Sequence, residues 1–527
     1  MALTALRQAL ATPAIYPEST SAVEVRETHI SLVFLTDQYV YKIKKPVNLG
    51  FLDYGTLARR QMMCEQECVL NRRLSSDIYL DVVAIHQEGQ TYTFAGPGPV
   101  VEYAVKMRRL PENATLHEQL KSQRTPLDTM RQLARKLASF HAVYRAPEAS
   151  TPYGSYGRVA ADWQENFAQT LEVVGHTLSR ETYHRIEQAV TTFLSQRAAW
   201  FSQRVADGHI RDCHGDLRAE HIYLEEKQVQ IIDCIEFNSQ FRYIDTTSEI
   251  AFLAMDLERL GFAAHADAFV REYVEAAEDV TLYRLLDFYR CYRAYVRGKV
   301  RSFLWRDAGH RRDHSHLQNE AQTYFDLAAR YAQRLARPML VITTGLIGSG
   351  KSTIAQGVAE ALELEVYSSD RIRKERAGLT PDTPQHVAYG TGLYSAAMSE
   401  QTYEALATSA RDALQRGASV IVDAAFPKQA QRAQFQALAQ AAGADCYLLE
   451  CLVPEEVLRA RLEQRTQTPG GISDGRLEIL PQFKQRYEPV RKIGKMDPIR
   501  LDTAQPIVKC VQHALAAIEE GRAAFDP

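Results

Sequence analysis

Residues 345–352 read Gly-Leu-Ile-Gly-Ser-Gly-Lys-Ser, which fits the spacing G-x-x-x-x-G-K-[ST]. The residue types specify a chemistry. Backbone N–H groups of a turn converge on phosphate oxygens only where no Cβ intrudes, which glycine permits. A helix that starts where the turn ends adds its positive N-terminal dipole. Lys351 supplies charge to the β- and γ-phosphates, and the Ser352 hydroxyl supplies a ligand for Mg2+. The apolar run MLVITT precedes the motif and STIAQGVAEAL follows it, the strand–turn–helix context that separates a phosphate loop from a chance glycine-rich turn. Gly345, Gly348, Ser349, Gly350, Lys351, Ser352 and Thr353 are the candidate nucleotide-binding residues, with ATP and Mg2+ as the expected cofactors.

Further groups able to do chemistry lie downstream. The segment Ser368-Ser369-Asp370-Arg371-Ile372-Arg373 ends an apolar run, and strand ends are where α/β sheets present carboxylates to ligands. An attacking hydroxyl needs such a carboxylate within hydrogen-bond reach. The competing role for Asp370 is to cap the next helix. Asp423 closes a second apolar run, ASVIV. Arg461 and Arg465 are four residues apart and share one helix face. They serve either an anion or a solvated face paired with Glu455, Glu456 or Glu463.

The first two-thirds holds a second constellation: Cys213-His214-Gly215-Asp216, then His221, then Ile231-Ile232-Asp233 and Glu236. A base and one or two metal-binding carboxylates are the minimal set for phosphoryl transfer, which needs positioning and charge neutralisation above all. Arg290, Arg293, Arg297 and Arg301 fall on one helix face with tyrosines between them. That row suits a phosphate site, a contact surface for the phosphate-loop domain, or a salt-bridged exposed face.

The elements that must position these groups follow from pattern. SLVFLT and YVYKIKKPV predict a hairpin turning at Asp37-Gln38, TLARRQMMCEQECVLNRRL a helix, and DVVAIHQ, TYTFAG and PVVEYAVKMRRL further strands. From about Leu127 the periodicity is helical, with a long amphipathic stretch over 163–205 and a β-rich island around 209–237. Pro338 ends the helical run QTYFDLAARYAQRLA. Strands MLVITTG, LEVYSSD, ASVIVDA and DCYLLECL then alternate with helices, the order of a parallel sheet with crossover helices. PGGISDGRLEILPQFKQRYEP reads as a flexible lid end and a final helix.

Two resemblances extend this reading. The C-terminal part resembles P-loop kinases such as gluconate kinase, zeta toxin and polynucleotide kinase. That resemblance implies Asp370 as the general base or orienter of the acceptor hydroxyl, Arg373 as a substrate-anion clamp, Asp423 as a Walker B carboxylate on the Mg2+ shell, and Arg461 and Arg465 as lid arginines. The N-terminal part resembles aminoglycoside phosphotransferases and the wider protein-kinase-like superfamily. There the resemblance implies Asp216 as the catalytic aspartate, Asp233 and the residue at 221 as metal ligands, and Lys42 as the α/β-phosphate lysine. It also implies Glu67 as the partner of Lys42, with Glu65 the alternative, and Asp245 as the brace of the catalytic loop.

Two departures stand out. His221 replaces an asparagine, and imidazole is a poor partner for hard Mg2+. No G-x-G-x-x-G turn precedes Lys42. Either Glu236 or Glu220 helps hold the metal, or the domain binds nucleotide weakly, or it does not catalyse. The chain as a whole resembles bacterial fusion proteins of these two domains. The implied fold class is an α+β kinase-like bilobal domain over 1–336, with lobes of about 1–112 and 113–336, followed by an α/β P-loop domain over 337–527 with a parallel sheet and crossover helices. The implied activity is ATP-dependent transfer of phosphate to a hydroxyl. The acceptor is a small molecule or a nucleic-acid end, and the first domain is a second kinase or a substrate-binding or regulatory module; the alternative for the whole chain is an ATP-switched interaction protein.

Composition excludes other classes. The chain has 527 residues, 46% hydrophobic and 24% charged, which excludes disorder, collagen and coiled coil as the main plan and suggests three or four folding units. With 62 basic and 65 acidic side chains the net charge is -3, so no global field favours bulk nucleic-acid or membrane binding. Eight cysteines are too sparse for a disulfide scaffold, and the first residues lack the layout of a secretory signal. These features predict a reduced, cytoplasmic protein. They do not specify oligomeric state.

Overall fold

A computed structural model describes residues 2–50, 52–225, 228–309, 314–380, 390–467, 475–494 and 496–524. The chain forms two compact units rather than three or four: residues 1–172 with 197–277, and residues 173–196 with 278–527.

The first unit carries a six-stranded antiparallel sheet. Its strands run, in spatial order, Glu24–Glu27, Ser31–Leu35, Tyr39–Lys44, Val100–Arg108, Tyr79–Glu88 and Thr91–Thr93. The expected hairpin pairs Leu35 with Val40, and Thr36 closes its turn by donating from Oγ1 to the Tyr39 carbonyl at 3.0 Å. Alternation along Tyr39–Lys44 sends Tyr41 and Ile43 into a core with Leu32, Phe34 and Ile85. Lys42 and Lys44 therefore project from the opposite face. Helix Leu57–Asn71 lies against the sheet, started by the Thr56 hydroxyl, which accepts from the Arg59 N–H at 3.3 Å. Helices Leu127–Val143, Thr246–Arg259 and Ala263–Ala277 build the second lobe around two short strand pairs, Ile210–Asp212 with Tyr243–Asp245 and Ile222–Glu225 with Gln228–Ile231. The first unit is thus α+β, a sheet lobe followed by a largely helical one.

The stretch over 163–205 is not one helix. Helix Tyr156–Thr170 gives way to a 3-10 turn at Leu171–Val173, and helix Arg180–Ala206 is kinked at Arg197, whose φ/ψ is −121°/23°.

The second unit is an α/β domain on a five-stranded parallel sheet. Its order is Glu365–Ser368, Val420–Asp423, Met339–Thr344, Asp445–Leu452, Pro498–Asp502. All six residues of Met339–Thr344 are buried, as a central strand covered on both faces requires. Each fully buried Leu, Ile or Val there contributes roughly 1.5–3 kcal/mol. The chain crosses to opposite sides of this strand, which opens a crevice at its carboxyl end. The fifth strand and helix Ile507–Ala524 escape the sequence pattern: helix Leu480–Arg486 is not the last. The lid end falls partly on 468–474, outside the described residues.

Helices Leu282–Asp307 and Ser315–Ala336, expected with the first domain, pack within the second unit. Arg284 donates from Nε to the Ala361 carbonyl at 2.7 Å, and Arg290, buried, pairs with Glu519 of the last helix. Arg301 pairs with Glu320 at 2.9 Å. Of the three readings of the arginine row, contact with the phosphate-loop domain describes Arg290 and a salt-bridged face describes Arg301. Among the described residues no helix is long and apolar enough to cross a membrane, and all eight cysteines are buried and outside any disulfide.

Candidate active sites

The phosphate loop occupies the crevice at the end of Met339–Thr344. Gly345 has φ +146°, and a Cβ there would stand 2.7 Å from the Cys451 carbonyl oxygen. Gly350, φ +85°, is the left-handed residue from which helix Lys351–Leu362 starts. The ammonium of Lys351 donates to the loop's own Leu346 carbonyl at 2.7 Å. Burial pulls it below its ordinary pKa, opposed by the nearby Asp423 carboxylate. Burial pushes Asp423 up, opposed by a hydrogen bond from Ser352 and by the charge of Lys351. Ser352 and Asp423 thus present adjoining oxygens, the donor type Mg2+ prefers, beside a backbone cradle a side chain would fill. These residues fit a triphosphate with Mg2+.

From this loop a cavity of about 560 Å³ extends past Asp370 and Arg373. Asp370 sits in the first turn of helix Ser369–Arg376, not at the strand end, and accepts from Nη1 of Arg373 at 2.9 Å. The Arg373 guanidinium lies 4.7 Å from the Tyr394 ring centroid. Arg465 lines the cavity; Arg461 is not among its lining residues. Arg461 donates to the Thr503 carbonyl at 2.7 Å and lies beside Gly350. None of the expected glutamates pairs with Arg461 in a described bond; Glu455 binds Arg459 and Lys484 instead. Sequence reasoning missed Lys428, Gln431, Gln434, Phe483 and Arg486, which line the same cavity. Lys428 follows Asp423 by five residues, so scanning the loop after that strand would have found it.

In the first unit Lys42 reaches Asp233 at 2.6 Å and Glu67 at 2.8 Å. Glu67 is buried, whereas Glu65 is exposed and bonds Gln61. Lys44 was not anticipated. Its ammonium, 1% exposed, is held by Glu67 at 2.7 Å and by Glu236, which also accepts from the Tyr54 hydroxyl at 2.6 Å. Burial works against both lysine charges, but the surrounding carboxylates outweigh it and hold both pKa values up. Glu236 is therefore committed to Lys44, and Glu220 to Arg218.

The brace of the His214–Asp216 loop differs from expectation. Asp245 pairs with Arg204 at 2.7 Å and caps helix Thr246–Arg259 through the Thr247 N–H. Glu249 holds the loop instead, accepting from the His214 and Gly215 N–H groups at 3.0 and 2.6 Å and from His141 at 2.8 Å. Burial opposes its ionisation, yet these bonds bring its pKa down to about 2. Asp216 is gripped by Arg218, whose Nε and Nη2 reach its two carboxylate oxygens at 2.9 and 3.0 Å. His221 lies between Asp216 and Asp233, offering nitrogen where Mg2+ wants oxygen. This set does not fit Mg2+.

Residues 340–490 match the AAA domain family. Choline/ethanolamine kinase family protein from Mesorhizobium loti is 13% identical, covering 63% of this chain and 99% of its own, at a TM-score of 0.37. A sugar kinase from Janibacter sp. HTCC2649 is 21% identical, covering 36% of this chain and 99% of its own, at a TM-score of 0.27. Uncharacterized protein Rv2004c of Mycobacterium tuberculosis and Uncharacterized protein Mb2027c of Mycobacterium bovis are each 31% identical over 492 residues, 93% of this chain and 94% of theirs. At that identity over nearly the full length, the chain belongs to the same family as these mycobacterial proteins.

Proposed function

We propose that the second unit is an ATP-dependent kinase that moves the γ-phosphate of ATP to a hydroxyl acceptor. The observation that carries this reading is the shared cavity: Asp370 and the phosphate loop line one enclosure. The loop amides and Lys351 bind the phosphates, with Lys351 exchanging the Leu346 carbonyl for phosphate oxygen. Mg2+, held by Ser352 and Asp423, would neutralise phosphate charge. Asp370 orients the acceptor hydroxyl and takes its proton. The acceptor oxygen bonds to the γ-phosphorus as the bond from that phosphorus to the β–γ bridging oxygen breaks, and ADP leaves. Arg373, Lys428, Arg465 and Arg486 around the cavity support an acceptor that carries negative charge of its own.

For the first unit, Lys42, positioned by Glu67 and Asp233, is the group that supports binding of a nucleotide phosphate or other anion. The grip of Arg218 on Asp216 supports a binding or regulatory module over a second kinase, because both oxygens of the proton acceptor are engaged.

The test is ATP consumption against a panel of metabolites and nucleic-acid ends with wild type, Lys351→Ala and Asp216→Ala. Turnover lost in Lys351→Ala and kept in Asp216→Ala is the expected result. The reverse pattern would overturn the assignment.

A further inference from the structure

Thr503 follows the edge strand Pro498–Asp502 of the second unit and is 5% exposed. It is not among the residues that line the cavity. Its backbone N–H donates to the Leu452 carbonyl at 2.8 Å, which fixes it at the end of the neighbouring strand. Its Oγ1 lies 2.8 Å from the carbonyl oxygen of Ser349, in the phosphate loop, and 3.1 Å from that of Leu452. A hydroxyl has one proton to give. The Leu452 carbonyl already has the Thr503 N–H, whereas the Ser349 carbonyl has no other donor among the described residues, so the proton goes to the shorter bond. Arg461 favours the same choice. Its Nη2 donates to the Thr503 carbonyl at 2.7 Å, and its Nη1, 3.4 Å from Oγ1, takes a lone pair there and leaves the proton for Ser349.

A trans peptide is planar, and its C=O and N–H point in opposite directions. Holding the Ser349 carbonyl on Thr503 therefore turns the N–H of Gly350 the other way. Gly350 lines the cavity, and among the described residues nothing accepts from that N–H. A donor fixed in advance and left unpaired is what a phosphate oxygen needs from a loop of this kind.

We propose that Thr503 is a positioning residue for the nucleotide: by holding the Ser349 carbonyl it presets the Gly350 amide for a phosphate oxygen, without touching the nucleotide itself. Arg461 acts on the loop through Thr503. The proposal rests on the reading of this loop as an ATP site, and it needs neither an acceptor nor turnover.

The probes are ATP and inorganic tripolyphosphate, titrated with Mg2+ into the full chain by calorimetry, with Lys351→Ala identifying the heat that belongs to the loop. Thr503→Val keeps the shape and removes the hydroxyl. It should weaken both probes alike, by about tenfold, because the Gly350 amide meets only phosphate. Thr503→Ser restores the hydroxyl and should return both to within about twofold of wild type. Thr503→Ala, which admits water beside the Ser349 carbonyl, stands in if the valine variant misfolds, and should weaken both by at least about threefold. Circular dichroism checks each fold. A residue that only supports the fold would lower the urea midpoint and leave affinity alone. The proposal by itself is overturned by wild-type affinity in a folded Thr503→Val or Thr503→Ala, by a loss that Thr503→Ser does not recover, or by a loss seen with ATP and spared with tripolyphosphate. Binding that Lys351→Ala leaves unchanged, or no binding by wild type, overturns the reading of the loop and this proposal with it.

Discussion

The guanidinium of Arg373 donates to the carboxylate of Asp370 across 2.9 Å, and both line the cavity that begins at the phosphate loop. In the proposed reaction this pair holds the carboxylate for the acceptor hydroxyl. An anionic acceptor would compete for Arg373 and leave Asp370 to its hydroxyl. Asp370→Asn should then lower kcat by about 10²–10⁴ with the KM for ATP little changed. Arg373→Ala should raise the acceptor KM more than it lowers kcat. Steady-state kinetics on the acceptor found in the panel separates the two, and wild-type kcat in Asp370→Asn would remove that residue from the chemistry.

Gly345 tests the cradle itself. At φ +146° an added Cβ would meet the Cys451 carbonyl oxygen at 2.7 Å, so Gly345→Ala must move backbone. ATP affinity by calorimetry should fall at least about tenfold, consistent with roughly 1–3 kcal/mol of strain. Gly157→Ala is the control: that helical glycine has nothing within 4 Å of an added Cβ, and it should gain about 0.5–1 kcal/mol with ATP affinity unchanged.

Lys44 neutralises two buried carboxylates, Glu67 and Glu236. Lys44→Met leaves the buried Glu236 without a cation and Glu67 with Lys42 alone, and should destabilise the first unit by roughly 3–5 kcal/mol, read from its urea midpoint. Adding Glu236→Gln should recover part of the loss. A change of less than about 0.5 kcal/mol in the single variant would mean water reaches the network.

Glu519 makes stability of the second unit depend on pH. Burial and the neighbouring Asp287 push its carboxyl from 4.5 up to about 7, although Arg290, Arg522 and Arg334 oppose them. A raised folded-state pKa means the native state holds its proton more tightly. That contribution is full below about pH 4.5 and is lost as pH rises through about 7. Wild type should therefore lose stability relative to Glu519→Gln across this window. Urea midpoints of both proteins at pH 5 and pH 8 give the comparison, and a difference that stays constant would show Glu519 ionised throughout.

The phosphate loop was legible because its chemistry is local: glycines, a lysine and a serine at fixed spacing act through their own backbone and the next helix turn. The alternating strand Tyr39–Lys44 and the parallel strands were legible for the same reason. The strand Pro498–Asp502 was not, because an edge strand of five residues carries little apolar pattern. Asp245 shows the limit for single residues. Its place in the motif matched a brace, but packing gave it to Arg204 and put Glu249, four residues on, against the loop.

From residue order alone came two nucleotide-type motifs, the strand–helix alternation around one of them and the departure at His221. Tertiary structure decided which charges meet. Lys44 finds Glu236 across 192 positions and Arg290 finds Glu519 across 229. Arg218 settles on Asp216, and Arg461 and Arg465, neighbours on one helix face, take separate tasks. Spacing fixes what a few adjacent residues can do together, but a buried charge goes to whichever opposite charge the folded chain brings within reach.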